Sequence, residues 1–131
     1  MIATDTQLLV YYTVDGPYTS IAQQVRDADD LWVAPPIWRS EMRNVLAGYI
    51  RRGMSTHDAM AIFYDAEDLL VQDYEAPTHS VLELIASSTC SAYDLEFVAV
   101  AQSLGIKLVT NDKEVLAAFP ETAVSPAQFV S

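Results

Sequence analysis

Short apolar runs alternate along this chain with stretches whose apolar positions recur every three or four residues, a pattern that predicts strands separated by helices. Ile2 to Thr4 reads as a buried strand ending at Asp5, and the TQLLVYYTV that follows suits either a helix start or an irregular continuation. After the turn at Asp15, Gly16 and Pro17, the spacing of Ile21, Ala22 and Val25 predicts an amphipathic helix over Tyr18 to Ala28. Leu31 to Ala34 is a second strand, closed by Pro35 and Pro36, with Pro36 placed to open the next helix. That helix, about Ile37 to Arg52, carries Trp38, Met42, Val45, Leu46 and Tyr49 on one stripe and is stopped by Gly53. Ser55 and Asp58 form a capping box for a long helix whose pattern runs through Leu69 and Leu70 to about Asp73.

Downstream, Ser80 to Ala86 reads as a short helix, and a further helix extends from near Ser91 to Gly105. Ile106 to Thr110 is the clearest later strand; Asn111 and Asp112 lead into a short helix ended by Pro120, and Thr122 to Ser125 adds a last edge strand. Strands alternating with helices favour a central, mostly parallel sheet covered on both faces, a three-layer α/β/α arrangement. With no internal repeat, low-complexity run or linker, the 131 residues are expected to form a single domain over 1–131.

Composition narrows the function classes. No basic region precedes an apolar stretch at the N-terminus and the apolar runs are too short to cross a bilayer, so neither a secretory signal nor membrane insertion is expected. Cys90 is the single cysteine, which excludes an internal disulfide and suits a reducing, cytoplasmic setting. The net charge of -11 works against nucleic-acid binding, which a positive surface normally drives. Four of the seven basic residues, Arg39, Arg43, Arg51 and Arg52, nevertheless lie in one segment, either as a local basic edge that guides phosphates or as solvated helix-face charges. Tyr11, Tyr12, Phe63 and Tyr64 suit a core better than a base-stacking surface, and neither His57 nor His79 has a spacing that supports acid–base catalysis.

The acids are more informative. In open α/β sheets, sites form beyond the carboxyl ends of strands, where connections diverge. Asp5 follows the first strand and Asp112 follows the IKLVT strand, so both are candidates for that edge although more than a hundred residues separate them. At about 100° per residue, Asp94 shares the apolar face of Phe97, Val98, Ala101 and Leu104, while Glu41 borders the stripe of Trp38 and Val45. Inward carboxylates cost several kcal/mol unless paired, protonated or metal-bound. With so few basic residues, a hard divalent cation, Mg²⁺ or Mn²⁺, is the expected common partner. Each acid also has an ordinary local role: Asp5 and Asp112 as helix caps, Asp94 as a complement to a helix dipole, Glu41 as a partner of nearby arginines. Those roles do not account for four acids at four separate element junctions.

At these residues the chain resembles the PIN-domain ribonucleases, and within them the VapC toxins of toxin–antitoxin pairs. MIATDTQLLVYY is similar to the opening strand with its Asp and hydroxyl residue, SEMRNVL to the helix bearing a glutamate, SAYDLEFVAVAQSLG to the segment of the third acid, and KLVTND to the closing Thr-x-Asp strand. Gln7 departs from the Asn or Ser often found at that place. The resemblance implies a PIN fold, a Mg²⁺- or Mn²⁺-dependent endoribonuclease, a homodimer, and inhibition by a cognate antitoxin. It implies Asp5, Glu41, Asp94 and Asp112 as the catalytic and metal-holding set, with Thr6 and Asn111 in support.

Two other readings are distinguishable. A phosphoryl-transfer enzyme with a nucleophilic aspartate, of the haloacid-dehalogenase or receiver type, would want an acid two residues after Asp5, where Gln7 stands, or a phosphorylated aspartate on a later strand. A noncatalytic module would use the same carboxylates only to hold a structural ion or a basic partner.

Overall fold

The computed structural model describes residues 1–131 and contains a five-stranded, wholly parallel sheet with eight helices in a three-layer α/β/α arrangement. The strands are β1 (Ile2–Thr4), β2 (Trp32–Ala34), β3 (Leu70–Asp73), β4 (Leu108–Val109) and β5 (Ala123–Val124). Their order across the sheet is β3-β2-β1-β4-β5. From β1 the chain builds outward to β2 and β3 on one side, then crosses to β4 and β5 on the other. The switch of direction therefore falls between β1 and β4, where a crevice opens beyond the strand ends. Every residue of β1, β2 and β4 is buried, as a parallel sheet sandwiched by helices requires.

The helices are α1 (Thr6–Thr13), α2 (Thr19–Ala28), α3 (Trp38–Arg51), α4 (Thr56–Leu69), α5 (Thr78–Ser87), α6 (Ala92–Leu104), α7 (Lys113–Ala118) and α8 (Pro126–Val130). α1 packs against α2, α3 and α4, while α6 lies on β1 and β4 with α5 against it. Ser55, Ser91 and Ser125 cap α4, α6 and α8 by accepting the N–H three residues on. Gly105 closes α6 in the left-handed region at φ 66°, which a side chain would strain. No single helix is long and apolar enough to cross a membrane.

Two elements differ from the sequence expectation. The helix expected to reach Asp73 stops at Leu69, and Leu70–Asp73 becomes the edge strand β3, paired with β2 through a bulge at Trp32/Val33. No glycine or proline marks this change. Instead the Arg26 guanidinium donates to the Leu69 carbonyl at 2.9 Å, satisfying a helix-terminal acceptor that the local sequence leaves open. The second difference is α8, which starts at the Pro126 that follows its Ser125 cap. The ambiguous TQLLVYYTV resolves as helix because Asp5 caps it.

The junction of β3 with α3 fixes the entry to α3. Trp38 is fully buried, its ring stacks on Phe63 at 5.2 Å, and its Nε1–H donates to Asp73 Oδ1 at 2.9 Å. Arg39 donates from Nε to the other Asp73 oxygen at 2.9 Å and pairs with Glu67. These contacts set the rotation of α3 and hence the direction of Glu41, one turn further on.

Candidate functional site

The residues after β1 and β4 meet in a cavity of about 690 Å³ at the switch point, closed at its sides by α3 and α6. Asp5, Thr6, Glu41, Asp94, Asn111 and Asp112 all line it. The expected candidates are thus brought to one place, from four separate stretches of chain.

Asp5 sits at the centre of the hydrogen bonding. Its Oδ1 accepts the Leu8 N–H at 2.8 Å, which caps α1, and its Oδ2 accepts the Thr110 hydroxyl at 2.6 Å. Thr110 is 2% exposed, and its Oγ1 in turn accepts the Asp112 N–H at 3.0 Å. Asp112 caps α7 through Oδ1, which accepts the N–H groups of Glu114 and Val115 at 2.9 and 3.1 Å. Thr6 donates from its hydroxyl to Glu41 Oε1 at 2.7 Å and ties α1 to α3. Asp94 lies half-buried in the first turn of α6, its N–H on Ser91 Oγ at 3.1 Å. Capping and site-building are therefore not alternatives for Asp5 and Asp112, because a carboxylate that spends one lone pair on a backbone N–H keeps others facing the cavity.

Electrostatics link the four acids. Burial pushes the Asp5 carboxyl up to about 6, with the charges of Asp112 and Glu41 adding to it and the bonds from Thr110 and Leu8 opposing it. Burial also raises Glu41, against the bond from Thr6 and with the charge of Asp94. Asp94 is raised by burial, opposed by Ser91, and raised further by the charge of Asp112. No cation relieves them. The cavity lining holds no Lys, Arg or His, and the three ion pairs of the chain lie elsewhere.

The chemistry of the donor set suits a hard cation, since carboxylates, hydroxyls and amide oxygens face the space and no imidazole or thiolate does. No three of the acids are gathered into a finished ligand set. Mg²⁺ keeps several waters and takes one or two carboxylates plus substrate phosphates, so its sites need not be closed protein cages. Asp5, Asp94 and Asp112, with Glu41, are the residues that fit this role.

The arginine segment does not reach the cavity. Arg39 is committed to Asp73 and Glu67, Arg43 lies over the Phe63 ring at 5.5 Å, and Arg52 over Tyr49 at 5.2 Å. Helix-face packing is the role these side chains occupy. Glu41 pairs with Thr6 rather than with an arginine.

Thr110 enters the sequence reading only as the threonine of the Thr-x-Asp motif, with no role assigned, although its placement two residues before a capping aspartate is a local hydroxyl–backbone motif that signals one. Tyr11 also lines the cavity, half-buried and stacked on Tyr18 at 4.7 Å. Asn44 and Tyr93 lie on the lining as well, without a sequence pattern that singles them out.

Comparison with known proteins agrees with this architecture. No curated protein matches the sequence significantly. PAE2754 from Pyrobaculum aerophilum has a similar structure, with a TM-score of 0.77 at 20% identity over 98% of this chain and 92% of that one. A chain of a toxin–antitoxin complex from Klebsiella pneumoniae aligns with a TM-score of 0.69 at 18% identity, over 96% of this chain and 98% of its own. At such identities the likeness concerns the fold. The PIN-domain family model matches residues 2–122, nearly the whole chain and all four acidic stretches, so the protein belongs to the PIN-domain family.

Proposed function

We propose that the chain is a metal-dependent endoribonuclease, the toxin of a toxin–antitoxin pair in the manner of VapC proteins, working in the cytoplasm as a homodimer restrained by a protein antitoxin. The observation that carries the reading is a cavity lined by Asp5, Glu41, Asp94 and Asp112 with no positive charge of the chain to balance them. The PIN-domain match and the likeness to a chain of a toxin–antitoxin complex support the nuclease and antitoxin parts.

Asp5, Asp94 and Asp112 are the proposed ligands of Mg²⁺ or Mn²⁺, and Glu41 is a further ligand or the group that orients the attacking water. When bound, such an ion makes water more acidic and neutralises charge on the phosphate and the leaving oxygen. Thr6 holds the Glu41 carboxylate in one rotamer, Thr110 holds Asp5 and the Asp112 backbone together, and Asn111 offers an amide at the rim. The lining holds no lysine or arginine, so the chain itself offers an entering phosphate no positive side chain there.

A noncatalytic, partner-binding module is the competing reading, favoured by the absence of a finished ligand set. One experiment separates the two. Antitoxin-free protein is incubated with total cellular RNA in Mn²⁺ or Mg²⁺, beside an Asp94→Asn variant and a chelator, and new RNA ends are sequenced. Cleavage at defined sites by the parent alone is expected; folded parent that cuts nothing favours the module.

Metal binding has its own readout. At pH 7.5, Mn²⁺ at ten times its Kd is expected to raise the melting temperature by about 4 °C. Because Asp5 takes up a proton near 6, the shift should shrink as pH falls through that value, since protons then compete for the ligand. A shift that is the same at pH 5 and pH 7.5 would place the ion elsewhere.

A further inference from the structure

Tyr93 is the most exposed large aromatic or apolar side chain of the protein, at 63% of its full accessibility. It occupies the second position of α6, next to Asp94, and lines the acidic cavity. None of the chain's aromatic pairs or cation–ring contacts includes it. Across the same cavity stands Tyr11 of α1, whose ring is already held by Tyr18. An amphipathic ring left in water on the lining of an acidic cavity, without an aromatic or cationic partner in the chain, is free to contact what enters the site.

The charge distribution states what such a ligand needs. A polyanion approaching a chain of net charge -11, through a lining without lysine or arginine, gains no attraction from the protein's own charges. An ion at the acids would offer charge to one phosphate without selecting a register along the strand. Uncharged contacts with the bases are what is left to supply both register and affinity: π faces for a ring to stack on, and edges for the amides of Gln7 and Asn44, which also line the cavity.

We infer that Tyr93 is a substrate-positioning residue, its ring stacking on an unpaired nucleobase that flanks the phosphate a cation at the carboxylates would take. The contact requires an unpaired base, because a base must be out of a duplex to offer its face to a side chain. The inference rests on the ribonuclease reading above and adds to it which chain atoms hold the RNA. A protein contact at the same ring is the competing use, since Leu82 and Ile85 of α5 are also exposed and α5 packs on α6.

The test compares the parent with Tyr93→Phe, Tyr93→Leu and Tyr93→Ala. For binding, each is carried in the non-cleaving Asp94→Asn background and titrated against a short fluorescein-labelled single-stranded oligoribonucleotide in Mg²⁺, a copy with abasic residues, and the blunt duplex of the same sequence. Tyr93→Phe should bind the single strand within about twofold of the parent, whereas Leu and Ala should each lose about tenfold. In cleavage the loss should sit in KM more than in kcat, and on the abasic strand the four proteins should bind alike. Equal binding by parent and Tyr93→Leu would overturn the inference, because bulk rather than a π face would then suffice. Unchanged RNA binding with a changed oligomeric state in sedimentation would overturn it in favour of a protein contact. Failure of the nuclease reading is seen separately, as a parent that cuts no RNA, and the binding series still decides the role of Tyr93.

Discussion

Asp5→Asn is expected to give a protein that resists unfolding better than the parent at neutral pH and yet cuts RNA at least about a hundredfold more slowly. Both effects come from one carboxylate. The Asp5 pKa lies near 6 in the folded chain against an ordinary 3.8, so the folded state holds a proton that the unfolded state releases. Stability from this group is therefore highest below pH 3.8, declines as pH rises toward 6, and is at its lowest above that, by roughly 3 kcal/mol at most. Asparagine is neutral throughout, still accepts the Leu8 N–H through its carbonyl, and can place its amide against Thr110 Oγ1. A gain of about 1–3 kcal/mol is expected at pH 7.5 without metal, closing to near zero at pH 4. Urea titrations at the two pH values check the first half, and cleavage of the RNA identified above checks the second. A variant less stable than the parent at pH 7.5 would mean that Asp5 is not under electrostatic strain. One that cleaves at the parental rate would remove Asp5 from the chemistry.

Trp38→Ala should cost about 3–5 kcal/mol, a large part of the stability of a domain of this size. The ring is fully buried and stacked on Phe63, and its removal also withdraws the indole N–H from Asp73, which anchors Arg39 as well. Trp38→Phe keeps most of the apolar volume and loses the hydrogen bond, so about 1–2 kcal/mol is expected of it. The functional consequence distinguishes this site from a generic core position. Glu41 follows on the same helix, so where Trp38→Phe is folded its cleavage rate should fall while Mn²⁺ binding at the aspartates changes little. Denaturant midpoints and metal-dependent melting measure the two effects separately. A Trp38→Ala protein within 1 kcal/mol of the parent, about the span of an ordinary surface change, would show that α3 is not seated by this contact.

Periodicity and turn chemistry were enough to read most of the architecture. β1, β2, β4 and β5 lie within the expected strand segments, α2 to α6 within a residue or two of the expected helices except at the end of α4, and the mostly parallel sheet that the alternation favours is wholly parallel. These features are legible because burial of a face repeats at the period of the element, and that repetition is written locally. β3 was not legible. Leu69, Leu70 and Val71 continue an apolar helical pattern without a breaker, and the turn from helix to strand depends on Arg26, more than forty residues earlier, and on the open edge of β2.

The candidate site divides in the same way. The residue types, and their positions just after strands or in first helical turns, are local facts, so Asp5, Glu41, Asp94 and Asp112 are visible as candidates in the sequence. The linkage through Thr110, the bond from Thr6 to Glu41, and the commitment of Arg39 away from the cavity join parts of the chain that no spacing rule connects. Sequence alone thus determined which groups stand at the ends of the elements, because caps, turns and periodicity act over a few residues. Only the tertiary structure decided which of them share one volume of space, because the order β3-β2-β1-β4-β5 brings β1 and β4 side by side and burial then raises the cost of each charge it encloses.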